Sequence, residues 1–114
     1  MVEINIDEIL KVGALTKKVN IGNFEVELKT LTNKDMTEIL EALSTKEESM
    51  QNVHLFRNEV LKRSIVSING KQLTQEEKQH LLDNLQYSVI VFLYNKYEEL
   101  DKEQAQLIEE FKKK

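Results

Sequence analysis

The chain has 114 residues, 40% apolar and 32% charged, with no Pro, no Cys and three Gly. That length supports one hydrophobic core rather than two, and the lack of Cys excludes disulfides, thiolate metal sites and a thiol nucleophile. The 16 basic and 20 acidic residues leave a net charge of −4 and are well interleaved, which disfavours nucleic-acid binding through phosphate neutralisation.

So little Pro and Gly predicts a helix-rich chain with short connections. The start, MVEINIDEIL, carries acids and lacks the basic residues and apolar core of a signal peptide. The longest apolar run, residues 89–93, is far too short to span a bilayer. A soluble chain is expected.

Within residues 4–12, Ile6, Ile9 and Leu10 stand at helical spacing, with Asp7 and Glu8 where the helix dipole favours acids. Gly13 follows as a stop. A helix this short is marginal in water, so something must dock it. In residues 15–31 the period changes. Phe24, Val26 and Leu28 alternate with Glu25, Glu27 and Lys29, the pattern of a half-buried strand. Residues 16–21 alternate weakly before it, and Asn20-Ile21-Gly22-Asn23 supplies turn residues. The expected β-hairpin is anchored by Phe24, Val26 and Leu28. Its apolar face must lie on helices or against another chain's sheet.

Thr32-Asn33-Lys34-Asp35 resembles a capping box and opens a helix with Met36, Ile39, Leu40 and Leu43 on one face. The polar residues 44–52 end or fray it. The next helix turns Val53, Phe56, Val60 and Leu61 inward and Arg57, Glu59 and Lys62 outward. Ile65, Val66 and Ile68 lead into Asn69-Gly70, a strong hairpin signal, so residues 67–72 are expected to form a tight turn or tiny hairpin. Thr74-Gln75-Glu76-Glu77 is a second capping box, followed by Leu81, Leu82 and Leu85 on a short helix. Asp83 or Asn84 is expected to break that helix and cap the last one, or else both run on as one bent helix.

Residues 83–114 contain no Pro or Gly. Ile90, Leu93, Tyr97, Leu100, Gln104, Leu107 and Phe111 recur at steps of three and four, a seam along one side of a long helix. Its first half is apolar on several sides. Further on, Glu98, Glu99, Asp101, Lys102, Glu103, Glu109 and Glu110 crowd the other sides and leave only the stripe. The division falls near Leu100: residues 89–97 belong to the core, and 100–111 are offered to another protein, with Gln104 helping to fix register. The candidate protein-binding residues are Leu93, Tyr97, Leu100, Gln104, Leu107 and Phe111, joined by Ile6 and Leu10 of the first helix. On this reading Leu100→Asp or Leu107→Asp abolishes assembly and leaves the fold intact. The final lysines sit at the negative end of the helix dipole.

No chemical site competes with this stripe. His54 and His80 lie on different predicted helices, without the spacing of a metal-ligand pair. Ser64 and Ser67 lack a glycine elbow, and Gly13, Gly22 and Gly70 are too isolated for a phosphate loop. Adjacent acids such as Glu76 and Glu77 point in different directions on a helix. Tyr87, Phe92, Tyr94 and Tyr97 have acidic and aliphatic neighbours, which favours packing over base stacking. No enzyme activity, cofactor or metal is expected.

Taken in order, VNIGNFEVELKTLTNKD, helices, INGKQLTQEE and LLDNLQYSVIVFLYNKYEEL resemble the small baseplate and hub-assembly proteins of contractile-tailed bacteriophages. There an "LKTLT-x-x-D" element, here residues 28–35, precedes a helical body, and an "LY-x-x-Y-x-x-L" helix, here residues 93–100, closes it. The pattern is similar to phage tail assembly chaperones too. It covers residues 17–104 and carries no catalytic residue. The resemblance implies a non-enzymatic structural or assembly component of a phage tail or baseplate. Such a protein sits in the virion tail, or in the host cytoplasm during assembly. Its partners would be other tail or baseplate proteins, or a tape-measure or hub protein, with a homo-oligomer as a further option and neither nucleic acid nor membrane. The alternatives are a transient tail assembly chaperone and a small regulatory adaptor unrelated to phage. The expected fold is α+β, a mainly helical single domain with an N-terminal β-hairpin and a long C-terminal helix. It is organised as an N-terminal helix or arm (1–14), a hairpin plus helical body (15–100) and a charged helical end (101–114).

Overall fold

Two-residue turns and capping boxes set the local structure. A computed structural model describes residues 5–44 and 50–112 of the chain; the expectations for Ile4, residues 45–49 and residues 113–114 lie outside them. Asn5 caps α1 (Ile6–Leu10) by accepting from the Glu8 N–H. The hairpin follows as β1 (Thr16–Ile21) and β2 (Phe24–Lys29), antiparallel, with Val19 opposite Val26 and Ile21 opposite Phe24. Gly22 makes the connection at φ 59°, a conformation that costs a Cβ-bearing residue energy. Phe24 lies at the hairpin tip and is exposed, so Val26 and Leu28 alone anchor this strand in the core.

Thr32 and Asp35 form a reciprocal capping box at the start of α2 (Asn33–Leu43), and Thr74 and Glu77 repeat it for α4 (Gln75–Asn84). Each satisfies backbone N–H groups that the first helical turn leaves free. Arg63, near the end of α3 (Met50–Ser64), approaches Asp35 at 3.5 Å and Glu38 at 2.9 Å and ties α2 to α3. Burial pushes the Asp35 carboxyl up, but the Thr32 backbone and hydroxyl donors, with the charges of Lys29 and Arg63, outweigh it and hold the group below the usual range.

The β-branched run after α3 becomes β3 (Ile65–Ile68), and Asn69 and Gly70, both at positive φ, turn it into β4 (Lys71–Gln72). This is the tiny hairpin expected at residues 67–72. It is also part of something larger. β3 pairs antiparallel with β2, giving a four-stranded sheet in the order β1-β2-β3-β4. The register shifts at Glu27 and Leu28. Just past that bulge, the buried Ser64 hydroxyl donates to the Lys29 carbonyl at 2.7 Å and accepts from the Lys29 N–H at 3.2 Å. A side chain thus completes a ladder that the backbone of α3 cannot extend.

α4 ends at Asn84; its C-cap Leu85 is extended, and α5 (Tyr87–Lys112) starts two residues after that cap. The break therefore falls at Leu85-Gln86, not at Asp83 or Asn84. Asp83 remains inside α4 and accepts from the Gln79 amide at 2.8 Å. The core gathers Val19, Val26 and Leu28 from the hairpin, Ile39 from α2, Val60 and Leu61 from α3, Ile65 from β3, Leu82 from α4, and Ile90, Leu93, Tyr97 and Leu100 from α5. The fold is α+β with a long C-terminal helix.

Candidate interaction surface

α5 carries the predicted seam, and its surroundings divide it. Leu93 and Leu100 are wholly buried and Tyr97 nearly so. They touch the protein's own sheet and helices, so they are core residues rather than contacts for another chain. Burial holds the Tyr97 phenol neutral and, helped by the charge of Asp101, pushes its pKa up to about 12. An aspartate at Leu100 would place an unpaired charge in this core. Leu100→Asp is therefore a folding variant and cannot test docking.

Beside the core half, α5 is pinned to the hairpin by charge. Lys17 of β1 donates to Glu99 at 3.1 Å and lies 3.6 Å from Glu103. The Glu99 hydrogen bond and the two carboxylate charges raise the Lys17 pKa, against the opposing effect of burial, and the same bond from Lys17 lowers that of Glu99. These groups are partly or largely exposed, so their main effect is orientation rather than stability.

Past Leu100 the seam meets a different neighbour. The Gln104 amide donates to the Gly13 carbonyl at 2.8 Å. Gly13 is buried at φ 82°, and a Cβ there would come within 3.4 Å of Ile108 Cδ1. The turn after α1 is thereby seated on α5. Leu107 is half-buried, whereas Ile108 and Phe111 are 38% and 41% exposed. α1 buries no residue: Ile6, Ile9 and Leu10 are 60%, 54% and 72% exposed, and Val12 in the turn after it is 63% exposed. A groove of about 300 Å³ runs between Ile9, Leu10 and Val12 on one side and Leu31, Asn33 and Gln104 on the other.

Of the residues expected to bind protein, Ile6, Leu10, Gln104, Leu107 and Phe111 thus lie at the α1–α5 end, and Leu93, Tyr97 and Leu100 do not. The same surface adds Ile9, Val12 and Ile108. Ile9 already stood in the helical pattern of residues 4–12. Ile108 had a weaker signal, as the apolar neighbour of a seam residue on a helix where adjacent positions are only 100° apart.

Elsewhere the polar side chains serve local structure. The His54 ring meets Asn58 at 3.2 Å and tilts against Tyr87, and His80 meets Asn84 at 3.3 Å. Arg57 donates to the Tyr87 hydroxyl at 3.2 Å and lies over the Tyr94 ring. Among the described residues no group of three or more His, Asp or Glu is placed to hold a metal ion, and no helix is long and apolar enough to cross a membrane. A second groove, of about 400 Å³, is lined by Ile68, Leu73 and Leu81 together with Glu76, Glu77 and His80. No protein-family model matches the chain, and no curated protein or solved structure is found to be similar to it.

Proposed function

We propose that this protein is a non-catalytic assembly component of a bacteriophage tail or baseplate, which works by docking its α1–α5 end on a neighbouring subunit. One observation carries the docking: Ile6, Ile9, Leu10, Val12, Ile108 and Phe111 are all more than a third exposed at one end of the molecule. Isolated exposed apolar residues are ordinary, but several on one short helix, beside the exposed Ile108 and Phe111 of the helix that seats its turn, favour a contact surface. The phage assignment is supported by the resemblance of residues 28–35 and 93–100 to small baseplate and hub-assembly proteins.

The test uses exposed positions only. Leu10→Asp with Phe111→Asp leaves the circular dichroism and melting temperature of the isolated chain nearly unchanged and prevents tailed particles from assembling. Normal assembly with this variant would sink the docking reading. Mass spectrometry of purified wild-type particles then finds the chain in fixed ratio to the other tail proteins. If it is missing from particles whose assembly still requires it, the protein is a transient chaperone instead.

A further inference from the structure

We infer that the surface around Arg57, where α3 meets the start of α5, is a second contact site that receives an Asp or Glu carboxylate of a partner protein. It stands apart from the α1–α5 end and does not depend on docking there. The chain has two arginines, both on α3. Arg63 lies 3.5 Å from Asp35 and 2.9 Å from Glu38, so its charge is matched within the fold. Arg57 has no ion pair among the described residues. Its guanidinium instead donates to the Tyr87 hydroxyl at 3.2 Å and stands 5.8 Å from the centre of the Tyr94 ring. The His54 ring tilts on Tyr87 with centroids 5.7 Å apart. Among the described residues nothing compensates the charge from the inner side either: the buried Arg57 Nε, His54 Nδ1 and Asn58 Oδ1 have no hydrogen-bond partner. Arg57 is half-buried and held by two tyrosines, which lowers the ordering cost of gripping a carboxylate.

The surroundings favour an acidic side chain carried by a protein over a free anion. Val53, one turn before Arg57, and Tyr87 are 45% and 59% exposed, and neither of the two grooves described above includes them. A small anion on that open surface stays hydrated, whereas a carboxylate borne by a protein arrives with neighbours that cover Val53 and Tyr87. Arg and Tyr are enriched where proteins touch, and a planar guanidinium can hold a carboxylate at two points. Among the described acids, Glu59 is turned to Lys62 at 3.9 Å. The charges of Glu98 and Asp101 reach Tyr94, but these residues stand roughly 16 and 21 Å beyond Tyr87 along α5.

The experiment uses the full chain and two capped peptides, Ac-Ala-Leu-Glu-Leu-Ala-amide and its twin with Gln in place of Glu. Each is titrated by NMR, with inorganic phosphate as a third probe. The Glu peptide is expected to bind about tenfold tighter than the Gln twin, to shift the Arg57 and Tyr87 signals, and to lose its advantage as salt rises. Arg57→Gln removes the preference. Tyr87→Phe takes away one exposed hydroxyl, keeps the ring, and lowers the preference severalfold. Equal binding of the two peptides, binding of neither, or shifts centred away from Arg57 and Tyr87 overturns the proposal. So does a preference that survives Arg57→Gln. If that variant does not fold, Tyr87→Phe decides in its place, and an unchanged preference there overturns the site. Phosphate binding at least as tightly as the Glu peptide makes the occupant a free oxyanion and overturns the protein partner.

Discussion

The two halves of α5 make the most instructive comparison in this molecule. Both belong to one uninterrupted helix, and both continue one seam at steps of three and four. In the first half, Ile90, Leu93, Tyr97 and Leu100 are buried; in the second, Leu107 is half-buried and Ile108 and Phe111 are exposed. Helix propensity and periodicity do not separate them. What differs is the element opposite. The first half faces a four-stranded sheet and α3, while the second faces α1, a helix of five residues with no buried side chain. A stripe states that something must cover it, and the size of the covering element decides whether the monomer can do so.

A matched pair of truncations separates the two halves of α5 most widely. Leu93→Ala deletes buried methyl groups and should cost about 3 kcal/mol, lowering the melting temperature by roughly 10 °C for a chain of this size. Leu107→Ala, seven positions on from Leu100, should cost less than about 1 kcal/mol, because its surroundings are already wet. Thermal denaturation of the two variants measures the difference directly. Equal losses would mean that the outer half is as much a part of the core as the inner half.

A second contrast is read by pH. The folded Tyr97 has its pKa raised to about 12, from an unfolded value near 10. A phenol raised in this way stabilises the fold fully below pH ~10, and that contribution is lost as pH climbs from about 10 towards 12. Tyrosine absorbance followed against pH should therefore show a late ionisation that coincides with loss of ellipticity. In Tyr97→Phe the late step disappears. Complete titration of all three tyrosines in an intact fold would show that the inner half admits water.

How much of this could be read beforehand follows the range of each interaction. The capping boxes at Thr32 and Thr74 were legible, because cap and partner are three residues apart and the chemistry is local. So were the hairpin through Val26 and Leu28 and the Asn69-Gly70 turn, which depend on alternation and on φ > 0. The pairing of β2 with β3 was not legible. It joins segments on either side of two helices, and a key contact, Ser64 to Lys29, gives no signal in a serine's immediate neighbours. The α4–α5 break falls at Leu85-Gln86, past both Asp83 and Asn84; Asp83, a plausible cap, instead accepts from Gln79 within its own helix. For the candidate surface, Ile6, Leu10, Leu107 and Phe111 were found from spacing alone. The division near Leu100 already puts residues 89–97 in the core, where Leu93 and Tyr97 are indeed buried; those two stand among the contact candidates as well, and Leu100 falls on the wrong side, because periodicity gives the same stripe whether the cover is internal or external.

The smallest effect concerns the join between the two exposed elements. Gln104 stands at a seam position, where the sequence suggested a register-fixing polar group between chains. Its amide instead donates to the Gly13 carbonyl of its own chain at 2.8 Å. A single neutral hydrogen bond contributes about 1 kcal/mol, and α1 has no buried side chain to add to it. Gln104→Ala should therefore change global stability by about 1 kcal/mol or less, since α1 contributes little to the core. Its consequence should be local. Amide exchange of Ile9 and Val12, whose N–H groups donate to the carbonyls of Asn5 and Ile9 in α1 and the turn that follows it, should quicken severalfold, while Leu93 and Tyr97 on the inner half keep their protection. If exchange in α1 is unchanged, Ile108 against Gly13 and the groove lining suffice to hold it, and the outer half is a preformed surface. If it quickens as expected, α1 is an arm held to α5 chiefly by one amide, and a docking partner must order that arm as it binds. The outer half of α5 would then differ from the inner half in being completed only on assembly.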